Sequence, residues 1–131
     1  MTTANDIETK TLRVLKGLGF QITGCYSYEH ATNLIGNLPQ PEPFSMPIRV
    51  ALQAAKAPLT VDSVESYAKF GRNALAQKIS IFHIGDWDDL DETVKSVLTS
   101  LKIDYVGGKM IEKTLSVRDM AKEDIKSYRN C

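Results

Sequence analysis

The chain has 131 residues, of which 43% are hydrophobic and 24% are charged, as is usual for a globular domain. Its 16 Lys and Arg residues equal its 16 Asp and Glu residues, so the formal net charge is zero and a strongly basic nucleic-acid binder is disfavoured. We expect one domain over residues 1–131, without a disulfide framework, since only two cysteines are present.

The sequence shows neither a signal peptide nor a membrane span. The first residues contain no basic region followed by an apolar run, and no apolar run approaches the length needed to cross a bilayer. We therefore expect a cytoplasmic protein with no membrane partner.

The first third of the chain predicts a helix, a strand and a second helix. The first helix is predicted to be capped by Asn5 or Asp6 and to end at the glycines that follow it. Phe20–Thr23 alternates apolar and polar residues and predicts a short strand. Ala31–Leu38 has apolar residues spaced three, one and three apart, which predicts a short amphipathic helix. Four prolines between residues 39 and 47 then predict an extended loop.

Residues 47–84 predict the central unit of the domain, a strand, a helix and a strand. Ile48–Ala54 is a mostly apolar run, typical of a strand buried on both faces. Asp62 and Glu65 have the spacing of a capping box, so the helix is predicted to begin there. Ile79–Ile84 predicts the second strand. Two buried strands joined by one helix indicate a parallel crossover, which we expect to be right-handed.

The last third predicts a further helix, a strand and a final helix. The stripe that includes Val94 predicts the first of these helices, and Ile103–Val106 predicts the strand. Met110–Leu115 is ambiguous, and Ser116 with Asp119 resembles a capping pair for the final helix. Because helices alternate with short strands, we predict an α/β fold with a central mixed, mostly parallel sheet flanked by helices.

Four segments resemble those of one known family in order and spacing. They are Asp6-Ile7-Glu8 with Leu15, Gly19 and Phe20, then Ala57–Val64, Ile79–Ile84 and Leu90–Val106. Together they resemble the Mrr-type restriction endonucleases of the PD-(D/E)xK nuclease superfamily. The resemblance covers most of the chain and implies a restriction-endonuclease-like core.

The resemblance also implies a chemistry for which this sequence lacks the residues. These nucleases hydrolyse phosphodiesters with a divalent metal ion held by carboxylates, and an adjacent lysine positions or activates the water. They need an Asp on the strand before the central strand and Glu-x-Lys on the central strand. No Asp lies between residues 7 and 61, and by offset from Pro58 the Glu-x-Lys positions fall on Ala51-Leu52-Gln53.

Glu8, Gln53 and Lys56 are the remaining candidates for a degenerate catalytic site. One carboxylate is too few to hold a catalytic metal pair, so we expect no cofactor. A Mg²⁺ or Mn²⁺ ion is expected only if Glu29 or Glu42 has moved into the site, which would leave an active nuclease.

The acidic segment His83–Glu92 follows a predicted parallel strand, where α/β folds place their sites. His83, Asp86 and Asp88 are candidate metal ligands, because mixed histidine and carboxylate sets suit several metals. The alternative is that Asp86, Asp88 and Asp89 cap the following helix and stabilise its dipole.

Two further groups are candidate contact surfaces. Lys10, Arg13 and Lys16 share one face of the first helix and form either a nucleic-acid contact or a solvated face. Tyr67 and Phe70 lie three residues apart and are therefore neighbours on their helix. They form either the centre of a two-fold interface or part of the core.

The leading functional hypothesis is a non-catalytic restriction-endonuclease-like domain that acts as a binding or assembly module. Its expected partner is another protein or a second copy in a homodimer, and nucleic acid remains open. One alternative is an active metal-dependent nuclease with relocated carboxylates. A second alternative is a small-molecule or metal-binding α/β protein that uses the His83–Glu92 segment.

Overall fold

The structure, a computed structural model, describes residues 4–118. Within them a five-stranded sheet is flanked by four helices, and a short 3₁₀ turn lies at Trp87–Asp89. The elements in chain order are α1 (Ala4–Gly17), β1 (Gln21–Ser27), β2 (Ala31–Leu38), β3 (Ile48–Ala55), α2 (Val61–Asn73), β4 (Lys78–His83), α3 (Glu92–Ser100), β5 (Asp104–Val106) and α4 (Gly108–Arg118).

The strands lie side by side in chain order, β1-β2-β3-β4-β5. The pairings of β1 with β2 and of β2 with β3 are antiparallel, whereas those of β3 with β4 and of β4 with β5 are parallel. The α/β class and the parallel crossover from β3 through α2 to β4 are confirmed. The sheet is evenly mixed, however, so the prediction of a mostly parallel sheet is corrected.

The segment predicted as a second helix, Ala31–Leu38, is the strand β2. Its apolar residues serve two cores, since Leu34 packs beneath α1 and Ile35 packs beneath α2. A strand buried on both faces need not alternate apolar and polar residues, and here the spacing of the apolar residues coincides with that of a helical stripe. Gly36 also suits the strand, because a β-carbon there would lie 2.1 Å from the carbonyl oxygen of Gln21 on β1.

Each face of the sheet has its own hydrophobic core. The core under α1 and α4 includes Ile7, Leu12, Leu15, Leu34, Val50, Leu52, Phe82 and Ile111. The core under α2 and α3 includes Ile35, Ala51, Val64, Tyr67, Ala68, Ile81, Val94 and Leu98. The sheet is thus covered on both faces, as predicted.

The caps of the helices differ from the predicted ones. Thr60 is the N-cap of α2, and it forms a capping box with Ser63 rather than Asp62 with Glu65. The cap lies two residues earlier because the extended backbone at Thr60 lets its hydroxyl accept from the Ser63 amide. Asp91 caps α3, where its carboxylate accepts from the amide of Thr93 at 2.8 Å.

The ambiguous segment Met110–Leu115 is helical, as part of α4. Ser116 lies inside this helix and therefore does not begin a new one, which corrects the predicted capping pair. Its proposed partner Asp119, with the rest of the predicted final helix, lies outside the described residues. No helix within residues 4–118 is long and apolar enough to cross a membrane.

The capping box of α2 leads to a stability prediction. Thr60→Ala should lower the free energy of unfolding by about 1 kcal/mol, because the Ser63 amide loses its acceptor. Asp62→Ala should cause a smaller loss, because its exposed carboxylate interacts only with the helix dipole. Urea unfolding of the two variants measures both effects, and a larger loss for Asp62→Ala would contradict the observed cap.

Candidate functional site

Glu8 of α1 and Lys56 form a nearly buried ion pair at the edge of the sheet where β2 begins and β3 ends. The Lys56 Nζ atom lies 3.3 Å from Glu8 Oε2, and the two side chains are only 15% and 11% exposed. Lys56 follows β3 directly, and its amide donates to the carbonyl of His30 at 2.8 Å. This bond continues the pairing of β2 with β3 and places the Lys56 side chain against the first turns of α1.

Uncharged residues lie beside this pair on the same face of the sheet. Side chains alternate between faces along a strand, and Leu34 and Leu52 pack beneath α1, so Thr32 and Ala54 also face α1. Thr32 and Ala54 are direct partners across β2 and β3, and both are buried. The Thr32 hydroxyl has no hydrogen-bond partner among the described residues. Among the described residues, this edge brings together the Glu8 carboxylate, the Lys56 ammonium and the buried Thr32 hydroxyl.

Lys56, rather than Gln53, is the candidate that contacts Glu8 on the first helix. A Glu-x-Lys motif that ended at Lys56 would occupy Ala54-Ala55-Lys56, whereas the offset from Pro58 points to Ala51-Leu52-Gln53.

Gln53, a candidate for the degenerate site, lies on the opposite face of the sheet from Glu8 and Lys56. It alternates with Ala51 and Ala55, which belong to the core under α2 and α3. Its Nε2 donates to Oδ1 of Asn33, its direct partner on β2, at 2.9 Å. The two buried amides satisfy each other, so Gln53 stabilises the sheet rather than joining the Glu8–Lys56 pair.

His83, a candidate metal ligand, is buried and uses both ring nitrogens within the protein. Its Nε2 lies 3.1 Å from the carbonyl oxygen of Ala57, and its Nδ1 lies 2.7 Å from the hydroxyl of Tyr105. Because a carbonyl only accepts, Nε2 bears the hydrogen and Nδ1 accepts from Tyr105. Burial lowers the pKa of His83, and burial together with the carboxylates of Asp86 and Asp89 raises the pKa of Tyr105.

The aspartates after His83 stabilise local structure. Asp86 Oδ1 accepts from the amide of Lys109 at 3.2 Å, so it caps the start of α4 and not α3. Asp88 and Asp89 form the 3₁₀ turn. The prediction that Asp86, Asp88 and Asp89 cap α3 is therefore wrong, because Asp91 is the residue that caps this helix. Among the described residues, no three His, Cys, Asp or Glu side chains are grouped to hold a metal ion.

The three basic residues of α1 do not form an open face. Lys10, Arg13 and Lys16 are all half-buried. Lys10 forms an ion pair with Glu112 of α4 and thereby ties the two helices together. Whether Lys10, Arg13 and Lys16 contact nucleic acid stays a prediction.

The aromatic pair on α2 also belongs to the packed interior. Tyr67 is 2% exposed, and its hydroxyl donates to the carbonyl of Ser80 at 2.7 Å. Phe70 is half-buried and stacks on Tyr67, while the ring of Tyr26 meets its edge at 5.5 Å. Of the two interpretations, burial in the core holds for Tyr67, and Phe70 packs against that core, so the two rings do not form an exposed patch.

Sequence reasoning missed Thr32 and Asn33 because it placed both on a helix. Tyr105 was missed because nothing in the sequence indicates that it contacts His83 on the neighbouring strand. No protein-family model matches the chain, and no curated protein or solved structure matches it at a significant level. The geometry around Glu8 and Lys56 is therefore the main guide to function.

The buried histidine predicts a pH dependence of stability. The unfolded chain binds a proton on His83 below a pKa of about 6.5, whereas the folded chain does so only at lower pH. The stabilisation is therefore present above about pH 6.5 and is lost as the pH falls below that value. Urea unfolding at several pH values should show a steeper loss for the wild type than for His83→Gln. Parallel curves would contradict the assignment.

The ion pair predicts strong coupling between two substitutions. Glu8→Gln and Lys56→Met should each lower the free energy of unfolding by about 3 kcal/mol, because each removes one partner of a nearly buried ion pair. The double variant should lose clearly less than the sum, since it removes both charges. Urea unfolding of the four proteins measures the coupling, and additive losses would show that the pair is unimportant for stability.

Proposed function

We propose that this chain is a non-catalytic restriction-endonuclease-like domain that acts as a binding or assembly module. The observation that supports it most is the pair of residues beside Lys56. Where the resemblance requires an Asp on the strand before the central one, β2 has Thr32 facing α1. Where it requires the Glu of Glu-x-Lys, β3 has Ala54. Ala54 has no ligand atom and Thr32 has no carboxylate, so neither replaces the hard anionic ligands that a catalytic Mg²⁺ ion needs.

The arrangement of these residues supports the proposal further. Thr32 and Ala54 are direct partners across the sheet, and Glu8 and Lys56 lie beside them at the same edge. The positions on which such a nuclease depends are thus close in space, but most of their charge is missing. The remaining carboxylate, Glu8, is already bound to the lysine at 3.3 Å, so the pair acts as a structural link between α1 and β3.

A relocated carboxylate has little support from the geometry. Glu29 is 88% exposed in the connection between β1 and β2, and its Oε2 lies 3.9 Å from Nε2 of His30. Glu42 lies in the proline-containing loop that follows β2, at the opposite end of this strand from Thr32. The metal-binding alternative at His83 has little support either, because both ring nitrogens are used.

The proposal predicts that the wild-type protein cleaves no DNA with Mg²⁺ or Mn²⁺. It also predicts that the double variant T32D/A54E gains Mn²⁺ binding, because it places two carboxylates beside Glu8. Isothermal titration should detect Mn²⁺ with the double variant only, and added Mn²⁺ should raise its thermal midpoint.

The matched control is T32N/A54Q, which has nearly the same volume without the charge and should bind no metal. Metal-dependent cleavage by the wild type that disappears in Glu8→Gln would overturn the proposed function.

A further inference from the structure

The loop between β2 and β3 presents an aromatic side chain in an unfavourable backbone conformation. The amide of Ser45 donates to the carbonyl of Glu42 at 3.2 Å, and Phe44 has a φ of 68°. With Pro43 at the second position, this is a type II turn, whose third position favours glycine. The Phe44 side chain is fully exposed, so it gains no packing against residues 4–118. This backbone conformation is energetically unfavourable, and no contact within residues 4–118 offsets it.

The loop is well suited to present an anchor. Its four prolines, Pro39, Pro41, Pro43 and Pro47, restrict the backbone, so little conformational freedom remains to be lost on binding. Met46 is 81% exposed and extends the apolar surface beside Phe44. A rigid, exposed aromatic residue is the kind of group that dominates protein interfaces when a partner supplies a pocket.

The same chain contains an apolar cavity of suitable size. It has a volume of about 410 Å³ and lies between α1, α4 and the sheet. The apolar residues that line it are Val14, Leu18, Phe82, Val106, Met110 and Ile111. Leu18 and Met110 are 41% and 55% exposed, so the cavity reaches the surface.

The loop and the cavity lie near each other on the molecule. A β-carbon added at Gly19 would meet Pro39 Cγ at 3.4 Å, so the loop begins beside the residue that follows Leu18. A two-fold interface requires that both complementary features belong to one patch of the surface, and this arrangement provides that patch. The zero net charge of the chain also removes long-range repulsion between copies.

The charges beside the two features are complementary. Glu42 lies in the same turn as Phe44, and Lys113 lines the cavity. Between Pro39 and Ile48 the only charged residue is Glu42, so the loop has no basic residue that would attract it to an anionic membrane. The chemistry of the loop therefore fits a second copy of this chain better than a lipid surface.

We propose that the chain forms a two-fold homodimer in which Phe44 of each copy inserts into the cavity between α1 and α4 of the other. Glu42 of each copy then faces Lys113 of the other. This inference rests on the proposed role as an assembly module and names its partner.

Sedimentation equilibrium at tens of micromolar tests the inference directly. The wild type should show about twice the monomer mass of 14.6 kDa. Phe44→Asp should weaken association about tenfold or more, because it places a charge in an apolar cavity. Leu75→Asp is the matched control, because Leu75 is also 80% exposed with a positive φ but lies on the connection after α2. It should leave the dimer intact, and equal effects of the two variants would overturn the inference.

Phe44→Gly separates an interface role from a structural one. It should weaken association as Phe44→Asp does, yet raise the thermal midpoint at concentrations where the wild type is monomeric, since glycine adopts the turn conformation freely. A lower midpoint would show that Phe44 stabilises its own chain. E42K and K113E should each weaken the dimer, and the combined variant should recover most of the affinity.

A wild type that stays monomeric at 100 μM, or a monomer that binds phosphatidylserine vesicles through Phe44, would overturn the dimer. Either result would leave the non-catalytic proposal intact. Metal-dependent DNA cleavage would instead overturn the proposed function, whatever the oligomeric state.

Discussion

The fold depends on the burial of β3 (Ile48–Ala55) from all sides. This strand is hydrogen-bonded to β2 along one edge and to β4 along the other, and helices cover both of its faces. Its residues therefore alternate between two cores, with Leu52 beneath α1 and Ala51 beneath α2. Over its buried part, Val50–Ala55, a polar side chain must find a hydrogen-bond partner within the protein.

This constraint explains why most candidate site residues have a structural role. The side-chain amide of Gln53 donates a hydrogen bond to that of Asn33 on the neighbouring strand. The ring of His83 forms hydrogen bonds with the hydroxyl of Tyr105 and with the carbonyl of Ala57, just after β3. Tyr67 reaches the backbone of β4 from α2. Each of these groups is polar, buried and hydrogen-bonded, and together they link the sheet to the segments around it.

Lys56 directly follows the end of β3, where the family resemblance can be compared with the structure. The resemblance implies catalytic carboxylates at this edge, whereas the chain has Thr32 and Ala54 there and pairs Lys56 with Glu8. Neither Thr32 nor Ala54 supplies a carboxylate ligand. Among the described residues, exposed apolar side chains away from Lys56 include Phe44 and those around the cavity between α1 and α4.

The sequence by itself determined the elements whose signals are local. The end of α1 follows from its glycines, the loop after β2 follows from its prolines, and the crossover from β3 to β4 follows from two apolar runs around a helical stripe. Only the tertiary structure decided that Ala31–Leu38 is a strand, because burial on both faces removes the alternation that identifies strands. Contacts between distant residues, such as Glu8 with Lys56, were likewise decided there, because they depend on strand register and helix placement rather than on spacing along the chain.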